Sequence, residues 1–397
     1  MTDITRTYLN HRDYQAVALS HFLIDILNSS RSLLIAILAV FLGLSNVQVG
    51  IVLILYNVGN ALSQPFFGRL ADQIGPRWPI VGGIGWMIIF YSLAALASPW
   101  LALVSLTVAG LGSGAFHPTG TMIASQASDQ RRTQATSVFF MAGQLGLFVG
   151  PILAGVILEE FGRSGYVILP ILASAGFFSA WRWISDKKPA TSEISENQQG
   201  TIGVTRNAVY YRRLIFLGII ILCTSTISLS AINFAPIFFT ELGYSAAHVG
   251  LLSGIFMLGS AVGGVAGGSL ADRWNGKIVI VLSASMAIIP LVLYVNAANL
   301  SQILLLLTAG FFVGMPHSVL VLMVQQMLPD KKATASGLAL GFMFFSGSLG
   351  VLIVGYIADQ IGLALALQLT AALAVIAIIA TFLMPDNQTK SSPAGAG

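Results

Sequence analysis

The chain has 397 residues, 56% of them hydrophobic and 9% charged, with a formal net charge of +4 and a mean hydropathy of +0.84. Soluble domains carry roughly 25% charged residues, so this composition excludes an ordinary soluble enzyme and implies a polytopic membrane protein. The single cysteine, Cys223, excludes an intrachain disulfide framework or a cysteine-based metal site, and the small basic excess bears on membrane orientation rather than on nucleic acid.

A spanning helix needs about 20 apolar residues. The first fifteen residues are polar, and the apolar run after them is too long for a signal h-region, so no cleavable signal peptide is expected. Apolar stretches predict spans over 15–42, 47–70, 78–97, 100–127, 134–159, 165–184, 214–240, 246–271, 277–297, 300–328, 333–358 and 363–384. The polar stretch 185–213 reads as a cytoplasmic linker between an N-terminal six-helix bundle, 1–184, and a C-terminal one, 214–385. Residues 386–397 form a cytoplasmic tail. With both termini in the cytoplasm, seventeen of the nineteen Lys and Arg residues fall on that side; Arg163 lies opposite and Arg31 lies within a helix. That bias satisfies the positive-inside rule and requires an even number of spans. The expected fold class is an all-α polytopic protein with twelve transmembrane helices in two pseudo-symmetric six-helix bundles. Its expected location is the plasma (cytoplasmic) membrane, as a monomer.

Five ionisable side chains lie deep in these spans: His21, Asp25, Arg31, His117 and His317. An intramembrane charge is costly and marks a functional site by default. In helix 1, His21, Asp25, Asn28 and Ser32 follow steps of four, three and four, a single polar stripe. Arg31 sits about 100° round the helix from it. Asp25, His117 and His317 all lie about 15 Å from one membrane face at 1.5 Å rise per residue, which suggests one site near the midplane. Desolvation disfavours a charged carboxylate, and histidine titrates near neutrality, so both can exchange protons at working pH. Asp25 is the expected proton carrier, with His21 one turn away and His117 as its partner. Arg31, Asn28, His317, Gln64 and Gln325 are the expected substrate contacts. For Asp25 the alternative is a fixed bond between helices; for Arg31 it is a structural pair with Asp25. No tight histidine spacing indicates a metal, and no P-loop pattern indicates a nucleotide, so neither metal nor cofactor is expected.

The two halves are repeats offset by 200 residues. GRLADQIGPR at 68–77 matches GSLADRWNGK at 268–277, AGLGSGAFH at 109–117 matches AGFFVGMPH at 309–317, and Arg131 and Arg132 match Lys331 and Lys332. Parallel repeats place a ligand site near the midplane between halves, which rock to give alternating access.

At Gly68, Leu70, Ala71, Asp72, Gly75 and Arg77 the chain resembles the major facilitator superfamily, and Gly268, Leu270, Ala271 and Asp272 repeat the motif. The resemblance implies that helices 1, 4, 7 and 10 surround a central cavity. It also implies a gating role for Gly68, Asp72, Arg77, Gly268 and Asp272 at the cytoplasmic surface, Asp72 and Asp272 latching the halves shut. Gly143, Gly146, Gly150, Pro151 and Gly155 look like the helix 5 signature of antiporters in that family. They are expected to pack tightly, against the glycines of helix 8. SHFLID, SQPFFG, GLGSGAFHP and QQMLP resemble the fosmidomycin-resistance type of drug efflux transporter. Together these imply a secondary transporter, with protons, a small-molecule substrate and the lipid bilayer as partners. The leading expectation is proton-coupled antiport of a small drug-like compound, with an anion favoured through Arg31. The alternatives are a symporter or facilitator for an organic anion, metabolite or siderophore, and a non-transporting receptor or scaffold. An intramembrane enzyme would need a nucleophile–base set that is not seen.

Overall fold

A computed structural model describes residues 8–44, 46–186, 208–244 and 246–386. Most of the linker (187–207) and most of the tail (387–397), with Arg6, Lys187, Lys188, Arg206 and Lys390, lie outside the described residues.

Apolar runs of this length can satisfy their backbone in a bilayer only as helices, and the described chain is almost wholly helical. The first half comprises α1 (Arg12–Leu42), α2 (Asn46–Ile74), α3 (Arg77–Leu96), α4 (Pro99–Gln126), α5 (Arg132–Gly165) and α6 (Ile168–Trp183). The second comprises α7 (Ala208–Glu241), α8 (Ala246–Arg273), α9 (Gly276–Leu293), α10 (Asn299–Gly314), α11 (His317–Gln325), α12 (Lys332–Ile361), α13 (Leu363–Leu369) and α14 (Ala371–Leu383). α10 with α11, and α13 with α14, each form one column, giving six columns per half. Among the described residues, nine segments are by length and composition alone apolar enough to cross a membrane. α1, α2 and α6 make up the other three columns.

The repeat is visible in the backbone. Both α5 and α12 end in a turn that needs left-handed backbone, and glycine supplies it at Gly162 (φ 63°) and, 200 residues later, at Gly362 (φ 87°). Pro316 separates α10 from α11, so His317 opens a new helix. Pro118, beside the matching histidine, lies inside a helix that runs on to Gln126. The helices cross between halves in pairs, α2 beside α12 and α5 beside α8. Between them lies a central cavity of about 160 Å³ with walls from both halves.

Candidate functional site

The floor of the cavity is built on α1. Helical spacing puts Asp25 one turn from His21, and the two side chains meet with Nε2 to Oδ2 at 3.2 Å. His117, from α4, brings its Nε2 to 3.6 Å from the other carboxylate oxygen. All three are buried, exposed by only 2%, 5% and 7% for His21, Asp25 and His117. Backbone carbonyls aim the rings: His21 Nδ1 bonds Phe139 O at 2.8 Å, and His117 Nδ1 bonds Ser113 O at 2.8 Å. Asn28 donates to Asp25 Oδ1 at 2.6 Å and to Ser113 Oγ at 3.2 Å, and accepts from the Tyr56 hydroxyl. One ligand-type atom from each of His21, Asp25 and His117 lies within 4.8 Å of the others. That spacing is short enough for one proton or metal ion to lie among the three groups. The expected absence of a metal-type grouping rested on linear spacing, which cannot see a third member arriving from another helix.

His317 lines the same cavity from α11. Its ring packs edge-on against Phe140, centroids 4.5 Å apart, and the Phe140 ring in turn lies 6.0 Å from that of His21. Opposite the cluster, α7 presents Thr224, Ser225 and Ser228, and α5 adds Gln144. Arg31 stands apart. Its guanidinium lies 3.7 Å over the Tyr56 ring, donates to Asn57 Oδ1 at 3.1 Å and to the Asn28 carbonyl, and lies outside the cavity lining. It is not among the residues that line the cavity, where the expected substrate contact would lie, and its described bonds are to Asn28 and Asn57 rather than to Asp25, the alternative. Asn28, Gln64 and Gln325 are likewise outside that lining. Gln64 donates to Asn60 Oδ1 at 3.3 Å within its own helix, and Gln325 donates to Ser336 Oγ of α12 at 2.7 Å.

A second construction lies at the end of the bundle that carries the basic pairs. Asp72, in the last turns of α2, accepts from the backbone N–H groups of Ala333 at 3.1 Å and Thr334 at 2.8 Å, in the first turn of α12. Asp272, at the end of α8, accepts from Thr133 N at 3.0 Å and Gln134 N at 2.8 Å, the start of α5. Each carboxylate therefore caps a helix of the opposite half, where unpaired N–H groups and the helix dipole favour an anion. Glycine makes the approach possible: a Cβ on Gly68 would strike Ala333 O, and one on Gly268 would strike Thr133 O and Ser137. Ser137 and Ser318 bond across the halves just above. Arg77 is not part of this crossing. It pairs with Asp186 at the start of the linker at 3.0 Å and lies over the Trp181 ring of its own half.

The comparisons with known proteins agree with this architecture. The family model described as Major Facilitator Superfamily matches residues 17–238 and 215–397. The chain belongs to the Major Facilitator Superfamily. Within it, the chain is 28% identical to the fosmidomycin resistance protein of Escherichia coli K12, covering 94% of this chain and 93% of that protein. It is 24% identical to the class B tetracycline resistance protein of Escherichia coli over 78% of each. The crystal structure of the E. coli fucose:proton symporter superposes with a TM-score of 0.72 at 13% identity, covering 96% of this chain and all of that one, a likeness of fold. As a superfamily member the protein is an integral membrane transporter and not an enzyme.

Superfamily membership does not settle the helix 5 glycines, and here the structure corrects an expectation. Gly143, Gly146 and Gly150 face α1, not α8: a Cβ at these positions would strike His21 and Asp25, Phe22 O, and Ser29 with Ile26 O respectively. Gly155 also looks toward α1, with Leu33 at 3.7 Å, and Pro151 lies between them inside the same helix. Of the α8 glycines, Gly259, Gly263 and Gly267 pack on the α10 column, while Gly254 meets Phe148 and Gly268 meets Ser137, both of α5. Ser113 is a site residue that sequence reading missed. It lies one helical turn before His117, so the same spacing rule that found His21 would have found it. Gln144 and the α7 hydroxyls carried no comparable signal, because single polar residues are common in spanning helices.

Proposed function

We propose that the protein is a proton-coupled antiporter that exports a small drug-like compound by alternating access. The observation that carries this reading is the buried Asp25 carboxylate held between two imidazoles at the floor of a cavity shared by both halves. Asp25, His21 and His117 take up and release the proton, and His317 with Gln144 contacts the substrate across the cavity. Asp72 and Asp272 close the cytoplasmic end, and their release from the α12 and α5 termini accompanies opening on that side. Gly68 and Gly268 serve the same closure, whereas Arg77 steadies its own half. The chain works as a monomer with both termini cytoplasmic, as two six-helix bundles joined by the linker.

Support from relatives is general: two similar proteins are named for resistance to fosmidomycin and tetracycline. The test is reconstitution in proteoliposomes with a pH-sensitive dye inside and a panel of drug-like solutes outside. Antiport predicts that an added substrate drives protons the opposite way across the membrane. Proton movement in the same direction as the substrate would make the protein a symporter, and substrate flux without proton movement would make it a facilitator.

A further inference from the structure

This inference rests on the reading of His21, Asp25 and His117 as the proton site, and concerns what else that site binds. The contacts of the two rings fix which nitrogen carries hydrogen. A carbonyl oxygen only accepts, so the 2.8 Å contacts to Phe139 O and Ser113 O require a hydrogen on Nδ1 of both histidines. When neutral, each ring then presents a bare Nε2. Both Nε2 atoms face the Asp25 carboxylate, at 3.2 and 3.6 Å, and a carboxylate is also an acceptor. Without an added proton the three groups therefore point only lone pairs and negative charge at one another. The Asn28 amide satisfies one carboxylate oxygen and leaves both Nε2 atoms without a donor.

No fixed positive charge offsets this. The elements packed around the cluster bring His317 from α11, Tyr56 from α2 and Arg31 from α1. Tyr56 is spent on Asn28, and Arg31 is turned to Asn57 and the Tyr56 face. Among the described residues, no lysine or arginine lines the cavity. Its walls instead offer the rings of Phe140 and Phe344 and the sulfurs of Met257 and Met343, groups that suit a delocalised cation. On α7 the Thr224 hydroxyl donates to Ile220 O at 2.9 Å, which leaves its lone pairs to accept.

We infer that the transported compound is an organic cation bearing N–H donors, a protonated or delocalised amine on an aromatic frame, which takes the place of the proton at this cluster. Linkage then fixes the direction of coupling. A ligand that binds the proton-free cluster is displaced by protons and travels against them, whereas an anion would bind the protonated cluster and travel with them. Charge of the substrate and sign of the coupling are one property of this site. Arg31, which from sequence favoured an anion, lies outside the cavity lining and is turned to Asn57 and the Tyr56 ring.

The test uses two dyes on one xanthene frame: rhodamine 123, a cation with amino donors, and fluorescein, an anion. Binding of each to the purified full-length protein is followed by fluorescence anisotropy, with proton release recorded in weakly buffered solution. Rhodamine 123 is expected to bind, to release protons as it does so, and to weaken as the pH is lowered. His117→Gln places a permanent N–H donor where Nε2 stood, and should weaken rhodamine binding by about tenfold or more. Tighter binding of fluorescein with proton uptake, or binding of neither dye, overturns the inference; the wild-type comparison alone decides this and needs no variant to fold. A dye-free pH jump separates the two levels of the argument. Proton release that disappears in Asp25→Asn leaves the proton site standing while the substrate class falls. Absence of any release that depends on Asp25 removes both.

Discussion

Asp25 shows how much depends on single hydrogen bonds. The two rings that face its carboxylate are held by the backbone oxygens of Phe139 and Ser113. His21→Asn keeps a donor where Nδ1 stands and removes the group at Nε2, whereas His21→Gln does the reverse. We expect His21→Asn to keep a melting temperature near that of the wild type but to lose substrate-evoked proton movement. His21→Gln should lower the melting temperature as well, because the bond to α5 goes. Equal effects of the two on stability and coupling would contradict the assigned tautomer. The histidines and Asp25 were legible in the sequence, since an ionisable group inside an apolar run is rare enough to stand out. The direction of Arg31 was not. Its position on helix 1 is set by helical geometry, but the pull of the Tyr56 ring and Asn57 comes from α2, which spacing along α1 cannot reveal.

Most helix ends were read to within about four residues, because hydropathy and the basic pairs mark them, but α5 runs on to Gly165 rather than 159 and α7 begins at Ala208, inside the expected linker, rather than at 214; the partners of their glycines were not legible. Gly143 is the sharpest case: it looked like a contact toward α8 and instead makes room for His21 and Asp25. Gly143→Ala should destabilise the protein by about 1–3 kcal/mol through overpacking, and should impair coupling more than the distant Gly155→Ala. A thermal shift assay paired with proton flux checks both. The capping carboxylates make a second prediction. Removing a cap at a helix N-terminus costs about 1 kcal/mol, roughly fivefold in an equilibrium. The double variant Asp72→Ala, Asp272→Ala should therefore favour opening at that end. The partners Ser137 and Ser318, changed to cysteine in a Cys223→Ser background, report it. Their cross-linking yield should fall when the two caps are removed, and an unchanged yield would show that the caps do not hold the halves together.

On the scale of the whole molecule, the 200-residue repeat does most of the explaining. It places glycine at equivalent turns, Gly162 and Gly362, and a carboxylate at equivalent crossings, Asp72 and Asp272. Chemistry breaks the symmetry: the first half holds the carboxylate and two histidines, while the matching His317 meets a phenylalanine. The motif pattern therefore conveyed the family and the two-bundle architecture, because both follow from what the halves share. Substrate preference follows from what they do not share, and only the folded cavity brings that together. Asp25→Asn in proteoliposomes tests the central claim most directly, comparing exchange of labelled substrate at equal pH with accumulation driven by a pH gradient. Exchange should persist at a reduced rate while gradient-driven accumulation is lost; accumulation at the wild-type level would contradict the account.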